Sequence, residues 1–121
     1  MTRFLLATHS VHASAAGCDY LAERAGPEDE VIVVAVREGE TDRDAGDAAN
    51  VAAVRLVEPD VRTLTREGDP AREILGVATA EEVDEILVGP HGGTPDEERL
   101  GETARDVATS ASVPVVVVPL A

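Results

Sequence analysis

Short apolar runs recur along the chain, and longer segments of mixed polarity separate them. Residues 4–7, 31–36, 86–88 and 113–118 have the length and apolar composition of buried strands. Residues 61–64 alternate apolar and polar positions, as a strand near the edge of a sheet does. Because residues 31–36 are apolar on both faces, we expect helices to cover this strand on both sides, as in a parallel sheet.

Helical patterns lie between these predicted strands. Residues 13–24 and 102–110 repeat apolar positions at helical spacing, and residues 48–57 form a shorter and weaker pattern. Before the fourth strand, Asp69 suits the N-cap of a helix and Pro70 suits its first position. Alternating strands and helices predict a doubly wound α/β fold, with a five-stranded parallel sheet and helices on both faces. The 121 residues are expected to form a single domain.

The composition is strongly acidic. The chain has 24 Asp and Glu residues against 10 basic residues, all of them Arg, which gives a net charge of −14. Because the acids are spread along the whole chain, we expect a solvated carboxylate surface that repels itself unless salt screens it. This composition resembles that of proteins from salt-accumulating halophiles. The charge also argues against nucleic acid or an anionic membrane as a partner.

No segment near the start has the length of a signal peptide or of a membrane span, so we expect a cytoplasmic protein. The single cysteine, Cys18, lacks a partner for an internal disulfide. It lies on the apolar face of the first predicted helix, and we expect a buried, unreactive thiol.

Two predicted loops can reach a ligand in such a fold, because ligands bind beyond the carboxyl ends of parallel strands. Residues 8–10 follow the first strand, and the glycine-rich residues 89–93 follow the fourth. Gly101 stands at the start of the last helix. Bare backbone near a helix N-terminus suits a phosphate group, although the same glycines also suit tight turns alone.

The second half of the chain resembles the universal stress protein family. The resemblance rests on the Gly-Asp-Pro helix start in residues 68–75, on residues 84–89, on Gly92 and Gly101, and on the last strand, rich in proline and valine. The first strand, first helix and second strand agree with the family in order and spacing.

The resemblance implies strand order 3-2-1-4-5 and a homodimer formed through the last strand, which begins at Val113 and ends at Val118. In the nucleotide-binding branch it also implies an ATP site whose phosphates sit on a G-x2-G-x9-G-[S/T] loop. The three glycines of that loop fall on Gly89, Gly92 and Gly101. The candidate binding residues are then Thr8, His9, Val36, Gly89, His91, Gly92, Gly101, Glu102 and Thr103.

This sequence departs from the family pattern at several of these positions. Eight residues separate Gly92 from Gly101, one fewer than the pattern, and Glu102 replaces the small hydroxyl residue. Ala104 replaces a second serine, and His9 replaces an aspartate. A carboxylate at a helix N-terminus competes for the N–H groups that would receive phosphate, while the neighbouring Thr103 offers a hydroxyl. The alternative function is therefore a family member that binds no nucleotide and acts through dimerisation and protein contacts.

Three histidines, His9, His12 and His91, fall near the predicted crevice. Without a cysteine or carboxylate at ligand spacing, solvated side chains are expected rather than a metal or pH-sensitive site. The chain has no G-x-S-x-G motif and no lysine for a Walker motif, so we expect a binding protein and not an enzyme. A weak hydrolase or nucleotidyl-transferring activity rests on fold analogy alone.

Overall fold

The computed structural model describes residues 1–8, 11–37, 56, 59–90 and 101–119. Within them the elements follow one another as β1 (Arg3–Thr8), α1 (Val11–Ala22), β2 (Glu30–Arg37), β3 (Asp60–Glu67), α2 (Pro70–Ala80), β4 (Glu85–Val88), α3 (Glu102–Ser110) and β5 (Val115–Val117). The helix predicted at residues 48–57 lies outside the described residues except for Leu56, which is buried. No helix in the described ranges has the length and apolarity needed to span a membrane.

All strands of the sheet are parallel and stand in the order β3-β2-β1-β4-β5, which confirms the order implied by the resemblance. Residues 31–36 are all buried, as predicted for a strand covered on both faces. Neighbouring residues of a strand point to opposite faces, and two separate apolar clusters result. One cluster joins Phe4 and Leu6 to α1, and the other joins Leu5 to α2 and α3. The chain is therefore doubly wound.

Helix α1 lies very close to β1. A Cβ atom at Gly17 would stand 2.5 Å from Leu6 Cδ1, so only glycine permits this approach without a shift of the leucine. Cys18 follows on the same helix and is 2% exposed, which confirms its predicted burial. The helix begins and ends two residues earlier than the pattern predicted, a difference that is common at helix ends.

Helix α2 has well-defined ends. Asp69 is its N-cap and accepts a hydrogen bond from Arg72 N at 3.0 Å, and Pro70 occupies its first turn, both as predicted. Beyond its last turn, Val83 N donates to Ala78 O at 3.2 Å, and Glu82 N donates to Thr79 O at 3.3 Å. These two bonds form a Schellman motif, in which Glu82 has a φ of 51°.

The two edge strands differ from the prediction in length. Strand β3 is longer than residues 61–64 and mostly exposed, as expected of an edge. Strand β5 is shorter than residues 113–118, although hydrogen bonds to β4 extend past it at both ends. Ile86 N donates to Pro114 O at 3.0 Å, and Val118 N donates to Val88 O at 2.8 Å. Strand β5 begins later than predicted because Pro114 has no N–H to continue the hydrogen-bond ladder.

Candidate functional site

The strand order reverses between β1 and β4. The chain leaves β1 toward β2 on one side, whereas β4 pairs with β1 on the other. In doubly wound proteins this reversal opens a crevice beyond the carboxyl ends of the strands, and ligands bind there. Thr8 ends β1, Val36 is next to last in β2, and Gly89 follows β4. The structure therefore brings these three predicted residues to one edge of the sheet.

A buried pair of hydroxyl groups lies at the end of β1. Thr8 Oγ1 and Ser14 Oγ are 2.7 Å apart and hydrogen-bonded, and the two residues are 5% and 0% exposed. They are the buried polar residues of the described ranges, and each lies on one side of the connection between β1 and α1. The bond therefore holds the first turn of α1 against the end of β1, beside the crevice. Ser14 was not predicted, although a serine on an apolar helix face signals a buried hydroxyl that needs a partner.

The start of α3 is joined to the end of β4 by a backbone hydrogen bond. Gly101 N donates to Pro90 O at 2.6 Å, and Arg105 N donates to Gly101 O at 3.0 Å as the first bond of the helix. Gly101 is the N-cap in an extended conformation, and no side chain caps the helix there. The structure thus places Gly101 against Pro90, the residue that follows Gly89. Pro90, which supplies the joining carbonyl, was not predicted.

The first turn of α3 presents backbone donors. The N–H groups of residues 102–104 have no carbonyl partner within the helix, because they precede the first helical hydrogen bond. Such groups carry the positive end of the helix dipole and attract anions. The structure therefore places three such N–H groups at the start of α3, next to the end of β4.

The side chains of this turn lie in three different environments. Glu102 is exposed, Thr103 is half-buried, and Ala104 is 3% exposed within the apolar cluster beneath the helix. Ala104 therefore packs into the core and presents no polar group to a ligand. Glu102 and Thr103 are left to face a ligand, and the Glu102 carboxylate lies in the same turn as the N–H groups that have no helical partner.

The arginine at the end of β2 has an acidic partner on β3. Arg37 pairs in register with Glu67 of β3, and its Nη1 atom lies 3.8 Å from Glu67 Oε1. This ion pair offsets the arginine charge at the carboxyl edge of the sheet.

Three of the predicted binding residues, His9, His91 and Gly92, lie outside the described residues, as does the side chain of His12. Their predicted roles stay predictions. Among the residues that are described, no three His, Cys, Asp or Glu side chains come together as metal ligands.

A parallel sheet in this order, with a glycine-initiated helix at the point of reversal, defines a doubly wound α/β domain. In this class of fold, ligands bind at the carboxyl edge of the sheet. The sequence profile of the Universal stress protein family matches residues 5–119. The chain belongs to this family, which confirms the resemblance found in the sequence.

Solved structures agree with this fold. The universal stress protein UspA from Lactobacillus plantarum is 22% identical, with a TM-score of 0.76 and 97% of each chain covered. A universal stress protein in complex with cAMP is 18% identical, with a TM-score of 0.75 over 99% of this chain and 98% of that one. A family protein from Arabidopsis thaliana with AMP bound is 13% identical, with a TM-score of 0.69 over 98% and 92% of the two chains. No curated protein sequence matches the chain.

Proposed function

We propose that this universal stress protein binds an adenine nucleotide in the crevice between β1 and β4, against the start of α3. The observation that carries the proposal is the uncapped α3 N-terminus, joined to the end of β4 by the bond from Gly101 N to Pro90 O. Two solved relatives hold cAMP and AMP, which supports the same ligand class here. A role in the stress response and a cytoplasmic location belong to this proposal, as does binding without turnover.

Calorimetric titration of AMP and ATP into the full chain, in molar KCl, tests this function. Gly101 has an ordinary φ of −63°, so Gly101→Val is compatible with the backbone and places a branched side chain at the helix start. We expect the wild type to bind at least one of the two nucleotides and Gly101→Val to bind it about tenfold more weakly or worse.

Gly76→Val is the matched control. Gly76 lies on α2, and a Cβ atom there meets nothing within 4 Å. It is expected to keep wild-type affinity. The absence of binding by the wild type would contradict the proposal, as would equal losses in both variants.

The exposed edge of β5 supports a second proposal, a homodimer formed through this strand. Residues Val115–Val117 are half-buried valines at the edge of the sheet, and Pro114 and Pro119 flank them. An apolar edge strand carries unpaired backbone groups that a second copy can cover. Dimerisation is also the basis of the alternative function, in which the protein acts through protein contacts without a nucleotide.

A proline substitution can test the outer edge of β5 without disturbing the edge that pairs with β4. Pro114 O and Val118 N bond to β4, so alternation along a parallel strand directs the N–H of Val117 away from β4. Val117→Pro therefore keeps the ladder with β4 and removes a donor from the outer edge. In sedimentation at molar KCl we expect the wild type at twice 12.6 kDa and the variant at 12.6 kDa. A monomeric wild type, or a variant that is still dimeric, would contradict this interface.

A further inference from the structure

We infer that salt regulates the homodimer formed through β5: two copies associate in molar KCl and separate as the salt is diluted. This regulation rests on the homodimer proposed above. It follows from two features of the chain, an edge strand that carries no charge and a net charge of −14 on the rest of the molecule.

The segment that forms the β5 edge has no charged side chain. Residues 107–119 include the end of α3 and all of β5, and they contain no Asp, Glu, Arg, Lys or His, although 28% of the whole chain is charged. Ala108, Ser112 and Pro114 of this segment are exposed, and Val115–Val117 are half-buried. We call residues 107–119 the uncharged edge. A second copy can approach there without placing one carboxylate against another.

The backbone of β5 fits a second copy of the same strand. Pro114 O and Val118 N bond to β4, so alternation directs the N–H and C=O groups of Val115 and Val117 outward. In an antiparallel pair about a two-fold axis at Val116, residues 115 and 117 of the two copies lie opposite each other, and their outward groups bond. The side chains that meet in this pair are valines, so no ion pair joins the two strands.

The charges that oppose association lie outside the uncharged edge. Each copy carries a net charge of −14, and the repulsion between the copies acts through the solvent around the contact. The Debye length is about 10 Å at about 0.1 M salt and about 3 Å at about 1 M, so molar salt screens most of this repulsion. Because the strand contact contains no ion pair that salt could weaken, added salt favours the dimer throughout.

Two matched variants separate charge from other effects of substitution. Both change the same exposed acids, Glu23 and Glu28 after α1 and Asp60 at the start of β3, the opposite edge of the sheet. The neutral variant has Glu23→Gln, Glu28→Gln and Asp60→Asn, which makes the net charge −11 in place of −14. The charge-conserving variant has Glu23→Asp, Glu28→Asp and Asp60→Glu, which keeps −14. Neither variant changes the uncharged edge.

Sedimentation equilibrium of the full chain measures the Kd of the dimer. The KCl series runs from the lowest concentration at which circular dichroism shows a folded chain up to about 3 M, and we expect the wild-type Kd to fall about tenfold or more. At the lowest salt the neutral variant should dimerise about fivefold more tightly than the wild type, and at the highest salt the two should agree within about twofold. The charge-conserving variant should follow the wild type, and Val117→Pro should be monomeric throughout.

The possible failures of this experiment are distinct. A wild-type Kd that stays constant or rises with KCl would overturn the regulation by salt and leave the β5 interface intact. An equal response of the neutral variant and the wild type would also overturn it, because salt would then act by strengthening apolar burial and not by screening repulsion. A wild type that is monomeric at every KCl concentration would overturn the homodimer itself.

Discussion

At the scale of single residues, hydrogen bonds to the backbone fix the places where the chain turns between elements. Asp29 accepts from Thr2 N at 2.8 Å and from Gly26 N at 2.9 Å, and so joins the turn after α1 to the start of β1. The bond from Gly26 N, with the bond from Thr2 N, holds the Asp29 pKa below its usual value. After α2, the turn is made by the backbone itself: the Schellman motif requires a left-handed residue, and Glu82 takes this conformation with a φ of 51°.

The Asp29 carboxylate predicts a pH-dependent contribution to stability. Because the folded state lowers its pKa, the contribution is complete above the unfolded value of about 4 and is lost as the pH falls through the folded value. Asp29→Asn removes the titrating group. We expect the difference in Tm between wild type and Asp29→Asn to shrink from about pH 6 to about pH 3. A difference that stays constant over this range would refute the prediction.

The positive φ of Glu82 predicts a stabilising substitution. Glycine adopts this conformation without the steric cost that a Cβ atom imposes, so Glu82→Gly should raise the free energy of unfolding by about 1 kcal/mol. Glu82→Ala is the control, because it removes the same charge and keeps the Cβ atom. Urea unfolding of both variants measures the effect. Equal gains would mean that the lost charge, and not the backbone, is responsible.

At the scale of elements, two helices begin at the carboxyl edge of the sheet: α2 has a side-chain cap at its N-terminus, and α3 has none. Asp69 caps α2 and accepts from its backbone, whereas Gly101 provides no side chain at the start of α3. At the opposite edge, where the strands begin, ion pairs join the elements. Arg62 lies 2.7 Å from Glu81 and 3.4 Å from Glu30, and so connects β3 to β2 and to the residues after α2. The proposed ligand site lies at the carboxyl edge, where the start of α3 carries no side-chain cap and stands beside the point of strand reversal.

The contact between α1 and β1 predicts a destabilising substitution. In Gly17→Ala the new Cβ atom meets Leu6 Cδ1 at 2.5 Å within a packed core, and we expect a loss of about 1–3 kcal/mol. Gly76→Ala on α2 is the control, because it meets nothing within 4 Å and should be neutral or slightly stabilising.

Chemical denaturation compares the two alanine variants. Adding Leu6→Val to Gly17→Ala removes the Cδ atoms and should recover part of the loss. If Gly17→Ala proves as stable as Gly76→Ala, the close approach of helix and strand is not as described.

At the scale of the whole molecule, two apolar cores on either side of one sheet support a surface of high negative charge. The cores are mostly aliphatic and both include residues of β1 and β2, and the mostly exposed β3 and the half-buried β5 form the two edges. With a net charge of −14, repulsion opposes the compact state wherever salt does not screen it. A salt-rich cytoplasm as the natural setting stays a proposal.

This charge predicts that salt stabilises the fold. Between about 0.1 M and about 3 M KCl we expect Tm to rise by about 5 °C or more. A variant with Glu23→Gln, Glu28→Gln and Asp106→Asn neutralises three exposed acids and makes the net charge less negative, from −14 to −11. It should melt higher at low salt and gain less from KCl. An equal gain in both proteins would show that repulsion is not the cause.

Much of the fold could be predicted because its signals are local. The apolar runs of β1, β2 and β4, the bounds of α3, and the Asp69 and Pro70 start of α2 all follow from side-chain periodicity and capping chemistry. The strand order was not among these signals, and it came from the family resemblance. The buried bond between Thr8 and Ser14 escaped prediction because it depends on how two elements meet.

The sequence by itself determined the class of fold, the acidic surface and the positions of the glycines, since these depend on the order and chemistry of neighbouring residues. Only the tertiary structure decided that Gly101 donates its N–H to Pro90, that Ala104 lies in the core, and that Glu102 stays exposed beside unbonded donors. These facts require distant segments to be brought together. Burial and hydrogen-bond partners are properties of that packing, and no local pattern contains them.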